Sequence, residues 1–336
     1  MKQITVGIIG AGRIGKVHAQ SIALNIPGAK IKTIADVYMN DTIQDWAEAL
    51  GIENTTKDYM DILNDKDIEV VLICSSTNTH AQFTMEAARA GKNIFCEKPL
   101  DPSIEKIKET LKVIEETGVK FQIGFNRRFD HNFKAVKQAV LDGKIGEPHI
   151  IRITSRDPEP PNPEYVKVSG GMFMDMTIHD FDMARFLSGS EVEEVYVQGA
   201  VLVDPEIGKA GDIDTAVITL KFKSGAIGVI DNSRKAAYGY DQRAEVFGSG
   251  GAVETSNDGL STAVISTAAG IGSEKPLYFF LERYMDSFIL EMKEFFIAVQ
   301  EDKVTPVGAI DALRPVQIAK AVGESLRTGL PVKVAY

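Results

Sequence analysis

Two short segments of the chain carry residues that suit redox chemistry beside a bound dinucleotide. Gly10-Ala11-Gly12-Arg13-Ile14-Gly15 has the glycine spacing that lets a turn of backbone approach a pyrophosphate. Glu97-Lys98-Pro99 places an amine directly after a later predicted strand, where it can hydrogen bond a reacting hydroxyl. A dinucleotide site alone explains the glycines but not the lysine. The two segments together therefore predict a nicotinamide-dependent oxidoreductase.

The glycine motif stands in the context that dinucleotide binding needs. It follows a predicted strand, opens a helical stretch, and is succeeded by a second strand that ends at Asp36. The Asp36 carboxylate can accept hydrogen bonds from ribose hydroxyls and would repel a 2′-phosphate, and Val37 supplies no cation. We therefore expect NAD rather than NADP. A structural strand-to-helix turn is the alternative interpretation of the glycines.

A second cofactor contact is expected where another strand ends, in Ser75–His80. Its small polar residues let backbone approach a ligand, although capping of the next helix by Asn78 or Thr79 would explain them equally well. Glu97 would either orient Lys98 or bind a ribose. The predicted cofactor contacts are Gly10, Gly12, Arg13, Ile14, Gly15, Asp36, Ser75, Thr77, Asn78, His80, Glu97 and Lys98.

The second half of the chain supplies a candidate acid–base group. In a predicted helix through residues 170–187, Asp175, His179 and Asp182 recur at i, i+4 and i+7 and so share one face. The aspartate can grip a hydroxyl while the histidine takes a proton near neutral pH. The alternative is a surface helix with an Asp–Arg185 ion pair and an incidental histidine. Hydride transfer needs no metal, and we expect none.

The elements that position these residues predict two domains. Short apolar strands alternate with helices up to residue 125, which is typical of a doubly wound α/β domain with a parallel sheet. Later, alternating strands with tight turns predict an open, mainly antiparallel sheet in an α+β domain, residues 126–336. The predicted strands are Val6–Ile9, Ile31–Ala35, Val70–Ile73, Asn93–Cys96, Phe121–Gly124, Asp214–Phe222, Ala226–Ile230, Ala244–Phe247 and Ala252–Glu254; the predicted helices include Thr42–Leu50, His80–Ala90, Ile104–Thr117, Phe129–Leu141 and Phe279–Val299.

Composition limits the classes of partner. The formal net charge of −10 argues against nucleic acid and anionic membrane surfaces. Two cysteines are too few for a disulfide scaffold, and no apolar stretch reaches membrane-spanning length. We expect a cytoplasmic enzyme of a neutral small molecule, and a homo-oligomer that packs through the open sheet.

Several segments together resemble the glucose–fructose oxidoreductase/inositol dehydrogenase family. They are Gly10–Gly15, Glu97-Lys98-Pro99, Gly124–Phe129, Ser155-Arg156-Asp157-Pro158 and Gly170–Leu187, so that the resemblance spans nearly the whole chain. It implies a Rossmann domain followed by an open-faced α+β domain, usually in a homotetramer. It also implies that Lys98, Asp175 and His179 are catalytic and that Arg127 and Asp157 join them in contacting substrate. Some relatives carry His and Asn where this chain has Ser155 and Asp157, which leaves the preferred ring open.

The resemblance also implies the reaction, which is oxidation of a ring hydroxyl by NAD. Myo-inositol, oxidised to 2-keto-myo-inositol, is the expected substrate, with His179 as base and Lys98 stabilising the oxygen as it gains negative charge. The alternatives are scyllo-inositol, or an aldose such as glucose or xylose. A non-catalytic NAD-sensing regulator is a different class, but it would not need Lys98, Asp175 and His179.

Overall fold

The computed structural model describes residues 3–336 and divides the chain into two compact units. The first comprises the chain up to Asn126 together with Met285–Arg314, and the second comprises Arg127–Tyr284 together with Pro315–Tyr336. The boundary predicted after residue 125 assigned all later residues to the second domain. In the structure, residues 285–314 belong to the first unit. They do so because Met292, Phe295 and Phe296 are buried in the same apolar core as the first strands.

The first unit contains a six-stranded parallel sheet, as the sequence predicted. The strand order is β3-β2-β1-β4-β5-β6, so the two halves wind outward from a reversal point between β1 and β4. The strands β4 and β6 are buried along their whole length, which explains the unbroken apolar run of β4. The strands are β1 (Ile4–Ile9), β2 (Ala29–Ala35), β3 (Asn54–Thr56), β4 (Val70–Ile73), β5 (Asn93–Glu97) and β6 (Phe121–Gly124).

Helices connect the parallel strands of this unit. They are α1 (Arg13–Asn25), α2 (Asp41–Ala49), α3 (Met60–Asn64), α4 (Thr77–Arg89) and α5 (Ile104–Thr117). The start of α5 is stabilised by Ser103, whose hydroxyl accepts the Lys106 amide, and its end by Gly118 in the left-handed region. Each helix thus starts close to the carboxyl edge of the sheet, where ligands of such folds bind.

The second unit contains a seven-stranded sheet in the order β12-β11-β7-β10-β9-β8-β15. Every neighbouring pair is antiparallel except β7 and β10, which are parallel, and both predicted hairpins are present. The strands are β7 (Pro148–Arg156), β8 (Val192–Ala200), β9 (Thr215–Phe222), β10 (Ile227–Ser233), β11 (Asp241–Gly248), β12 (Gly251–Glu254), a separate hairpin of β13 (Val264–Thr267) and β14 (Gly270–Ser273), and β15 (Val332–Lys333).

One face of this sheet is buried and the other is open. In β9 the side chains of Ala216, Ile218, Leu220 and Phe222 are buried while Val217, Thr219 and Lys221 are exposed, which matches the predicted alternation. The helices of this part are α6 (His131–Leu141), α7 (Pro163–Ser169), α8 (Met172–Asp175), α9 (Ile178–Ser188), α10 (Pro205–Lys209) and α11 (Phe280–Arg283), followed by α12 (Met285–Gln300) and α13 (Ala309–Thr328).

Two predicted helices are interrupted in the structure. The helix expected through residues 170–187 is divided into α8 and α9, and the helix expected from Phe279 to Val299 is divided at Tyr284. At the first break, the amides of Met176 and Thr177 both bond to the Met172 carbonyl, which closes α8 before α9 begins. The spacing of apolar residues in the sequence cannot reveal such a break, because that spacing is nearly preserved across it.

Candidate active site

The glycines of the first turn differ in what surrounds them. Gly10 has φ +106°, and a Cβ there would lie 2.5 Å from the Cys74 carbonyl oxygen; a Cβ on Gly15 would lie 2.0 Å from the Gly10 oxygen. These two glycines are required by the chain itself. A Cβ on Gly12 would meet nothing within 4 Å, and no side chain caps the α1 amides at this end. The open backbone at Gly12 therefore fits a pyrophosphate at a helix N-terminus.

Asp36 is tied to this turn by its carboxylate. One oxygen accepts the Ala11 amide at 2.7 Å and the other accepts the Tyr38 amide at 2.8 Å. Each carboxylate oxygen has two lone pairs, so capacity remains for ribose hydroxyls. The neighbouring Val37 side chain is 70% exposed and offers no cation for a 2′-phosphate. Asp36 thus combines a structural bond to the glycine turn with the acceptor that was predicted from the sequence.

The Ser75–His80 segment does not form the helix cap that was its alternative interpretation. The helix α4 begins at Thr77 after Ser76, and no side chain caps it, so the suggested cap from Asn78 or Thr79 is wrong. Thr79 instead pairs with the Ser75 hydroxyl at 2.7 Å. The His80 ring is buried and bridges the carbonyls of Pro99 and Ser75, at 2.8 and 2.9 Å. His80 thereby ties the start of α4 to the turn after β5.

The Glu97 side chain is held inside the first unit by a residue that the sequence reasoning missed. One Glu97 oxygen lies 2.7 Å from Nε2 of the fully buried His18 on α1, and the other accepts the Lys98 amide at 3.2 Å. The peptide bond between Lys98 and Pro99 is cis, and Lys98 is half-buried. Because its oxygens bind His18 and the Lys98 amide and only 8% of the residue is exposed, Glu97 suits the interpretation in which it orients Lys98 better than the one in which it binds a ribose.

A second buried carboxyl lies close to Glu97. Glu291 on α12 is fully buried, and burial raises the pKa of its side chain well above the usual range, with Glu97 adding to the shift. Burial therefore favours the neutral form of the Glu291 carboxyl. No sequence motif predicts this pair of acids, because Glu97 and Glu291 are far apart in the sequence.

In the second unit, Asp175 is the last residue of α8 and His179 lies in the first turn of α9. The Asp175 carboxylate accepts the Tyr165 hydroxyl at 2.9 Å and an Nη2 of Arg234 at 3.1 Å. Asp182 has a different environment from Asp175. It is buried and forms a two-point ion pair with Arg128. The pair of an aspartate with Arg185, given as the alternative interpretation, is present at 3.7 Å from Asp182, and two bonds also link Arg185 to Glu191.

Asp157 is brought beside Asp175 by the sheet. It follows β7, Arg234 follows β10, and these parallel neighbours end together because Arg156 is in register with Ser233. Arg234 Nη1 then reaches Asp157 at 3.2 Å while Nη2 reaches Asp175. Burial raises the pKa of the Asp157 carboxyl, and Arg234 opposes that shift. Arg234 was missed because no motif contains it, although its place after a strand was a usable signal.

Arg127 is buried at the start of the second unit. Its guanidinium binds Asp180 at 2.6 Å and also lies 3.4 Å from the hydroxyls of Ser155 and Tyr240. Burial raises the pKa of Asp180, and Arg127 is the first group that opposes it. Asn232 holds the other Asp180 oxygen at 2.9 Å and accepts the Thr177 hydroxyl. This network fixes the start of α9, and hence His179, against the sheet.

The comparison with known proteins agrees with this geometry. Residues 4–125 match the family described as "Oxidoreductase family, NAD-binding Rossmann fold", and residues 133–254 match the "GFO/IDH/MocA C-terminal domain". The chain belongs to the GFO/IDH/MocA oxidoreductase family. The predicted Rossmann domain, its NAD cofactor and the oxidoreductase class are thereby confirmed.

Three relatives of this family member indicate how far the similarity extends. The oxidoreductase YrbE of Bacillus subtilis is 52% identical, over 100% of this chain and 98% of its own. Myo-inositol 2-dehydrogenase of Thermotoga maritima is 48% identical over 98% of both chains. The solved scyllo-inositol dehydrogenase of Lactobacillus casei with bound NAD(H) and scyllo-inositol has a TM-score of 0.92 at 33% identity, covering 100% of both chains.

Two features are absent from the described part of this GFO/IDH/MocA protein. Within residues 3–336, no group of three or more His, Cys, Asp or Glu side chains is arranged to hold a metal ion. No helix in the described part of the chain is long and apolar enough to cross a membrane.

Proposed function

We propose that this protein is an NAD-dependent inositol 2-dehydrogenase that oxidises a ring hydroxyl of a cyclic polyol. Myo-inositol, converted to 2-keto-myo-inositol, is the substrate we favour, because a relative that is similar over almost the full chain bears that activity in its name. The structural observation that carries the proposal is the arrangement of Asp175 and Asp157 on one guanidinium next to α9. Several carboxylate oxygens at one place suit a substrate with several hydroxyls.

The proposed chemistry divides among three side chains. His179 accepts the hydroxyl proton, Lys98 donates a hydrogen bond to the same oxygen as it gains negative charge, and Asp175 accepts a hydrogen bond from a neighbouring hydroxyl. NAD, when bound, supplies the hydride acceptor. Arg127 and Asp157 complete the proposed substrate contacts. The Asp180–Arg127 network keeps α9 rigid, so the imidazole of His179 need not be reorganised during turnover.

The proposed cofactor contacts follow the open backbone and the ribose acceptor of the first unit. Gly12, Arg13 and Ile14 offer the first amides of α1, and Asp36 offers its remaining lone pairs. Ser75, Thr77 and Asn78 are proposed as contacts at the end of β4. The ring of His80 is engaged on both nitrogens, so it supports that segment from behind instead of bonding to the cofactor.

A second substrate has a specific observation in its favour. The relative solved with NAD(H) is named for scyllo-inositol and is bound to it. The two inositols differ in the configuration at one carbon, so the same set of acceptors can serve either ring. We propose in addition a cytoplasmic location and a homotetramer, which is supported by the open face of the second sheet.

The test is a set of single substitutions assayed by formation of reduced nicotinamide against inositols, glucose and xylose. In His179→Ala we expect turnover to fall by about 10²–10⁴-fold, because the base is lost, while the NAD dissociation constant stays the same. In Lys98→Met we expect a fall of about 10²-fold or more, since one donor to the developing oxyanion is lost.

The matched control is His131→Ala, which removes an exposed histidine of α6. It should leave turnover unchanged. Wild-type rates in His179→Ala with any inositol would refute the proposed base. Oxidation of glucose or xylose but of no inositol would refute the substrate while retaining the enzyme class. NAD binding without turnover on any polyol would favour the regulator.

A further inference from the structure

Arg234 is a buried arginine whose two terminal nitrogens bind different carboxylates. Nη1 lies 3.2 Å from Asp157 and Nη2 lies 3.1 Å from Asp175, and only 4% of the arginine side chain is exposed. Burial alone would lower the pKa of the guanidinium, but Asp175 and Asp157 outweigh burial and raise it. The arginine is therefore charged, and its position is fixed by the two acids.

The two acids, unlike the arginine, are still accessible. The side chains of Asp157 and Asp175 are 18% and 17% exposed. Asp175 receives bonds on both oxygens, from Tyr165 and from Arg234, and a carboxylate offers about four acceptor sites in all. An ionised carboxylate only accepts hydrogen bonds, and a hydroxyl is the group that donates to it. The exposed edges of this pair are therefore suited to hydroxyls and unsuited to carbonyl or carboxylate groups.

The carboxylates clustered around Asp157 and Asp175 require a nearby cation. A third acid, Asp212, lies close enough for Arg234 to oppose the burial that raises its pKa, and it accepts the Met172 amide at the start of α8 at 2.8 Å. Carboxylates gathered in a partly buried place repel one another, and without a cation one of them takes up a proton or turns away. Arg234 supplies the cation between Asp157 and Asp175.

We propose that Arg234 is a positioning residue that sets substrate specificity by holding Asp157 and Asp175 in place as two acceptors for different hydroxyls of one ring. The inference rests on the proposed function, because it presupposes a polyhydroxylated ring. It extends that function by assigning ring recognition to a residue that itself donates nothing to substrate. A ring that lacks one of the hydroxyls leaves a carboxylate unpaired, and such a loss discriminates strongly.

The experiment compares the inositol that the wild type oxidises with its monodeoxy analogues. We expect the wild type to lose about 100-fold or more in kcat/KM on the analogue that lacks a recognised hydroxyl. In Arg234→Met, KM for the parent inositol should rise by about 10-fold or more, since charge-assisted bonds are lost, and the discrimination should shrink to less than about 10-fold. The NAD dissociation constant should not change, because the arginine belongs to the second unit.

Arg234→Lys separates positioning from folding. An ammonium keeps the charge but cannot make the planar two-point contact, so KM and discrimination should lie between those of wild type and Arg234→Met. The control is Arg327→Met, which removes an exposed arginine that binds Glu324 and should behave as wild type.

Each outcome decides the inference. A folded Arg234→Met with wild-type KM and wild-type discrimination overturns it. If Arg234→Met does not fold, the lysine variant decides, and wild-type discrimination in that variant overturns the two-point role. A wild type that oxidises no inositol refutes the proposed function instead, and the same variants are then compared on deoxy analogues of the polyol or sugar that it does oxidise.

Discussion

At the scale of single residues, Asp36 is the residue that we propose to decide the choice of cofactor. We predict that Asp36→Ser combined with Val37→Arg raises the NADP-to-NAD ratio of kcat/KM by about 10-fold or more, because repulsion of a 2′-phosphate is replaced by attraction. Val37 is exposed, so the arginine has room. Because the Asp36 carboxylate accepts the Ala11 amide, the double substitution should also lower the free energy of unfolding by about 1 kcal/mol. Val37→Arg alone is the control for stability, and an unchanged cofactor ratio in steady-state kinetics would contradict the role of Asp36.

The site residues that the sequence proposes either belong to a motif or directly follow a predicted strand. Asp36, Lys98 and Asp175 are of that kind. His18 and Arg234 are not, because each gains its role from a partner far along the chain, at 79 and 59 residues' separation. A sequence pattern records local spacing, whereas a buried ion pair is recorded only in three dimensions.

At the scale of elements, the turn between β1 and α1 contains two glycines that the fold requires and one, Gly12, that we propose to serve the ligand. We predict that Gly12→Ala folds with a stability within about 1 kcal/mol of wild type, since its φ of −69° suits alanine and the new Cβ meets nothing. NAD affinity should fall by about 10-fold or more, because the Cβ occupies the surface that a pyrophosphate approaches. Calorimetric NAD titration and thermal unfolding measure the two effects.

The matched variant is Gly15→Ala, for which we expect the reverse order of effects. Its Cβ would lie 2.0 Å from the Gly10 oxygen, so the backbone must shift and stability should fall by more than about 2 kcal/mol. Equal stability losses in the two variants, or unchanged NAD binding in Gly12→Ala, would contradict this division of roles.

The elements also show why part of the fold was not predictable. Five of the six parallel strands of the first unit were predicted with small errors at their ends, because they are mainly apolar, whereas the short polar strand β3 was not predicted. β7 and β8 were not predicted, although β7 carries Asp157 at its end, because their outward residues include charged side chains and their burial is irregular. The packing of α12 in the first unit was not predictable either, since its stripe of apolar side chains would suit the core of either unit.

At the scale of the whole molecule, the outer face of the second sheet predicts self-association. Phe247 and Ile227 both pair with Ile150 across three adjacent strands, and their side chains are 45% and 55% exposed. Apolar side chains in one row on an open sheet are typical of an interface.

We predict that Phe247→Glu combined with Ile227→Glu lowers the mass in solution from that of a tetramer to that of a dimer or a monomer. The carboxylates would be buried without partners if the face remained covered, so association becomes unfavourable. Light scattering coupled to size exclusion measures the mass. The control is Val304→Glu, because Val304 is 90% exposed in the first unit and lies outside this sheet. A tetramer that survives the double substitution would place the subunit interface elsewhere, and a monomeric wild type would remove the interface altogether.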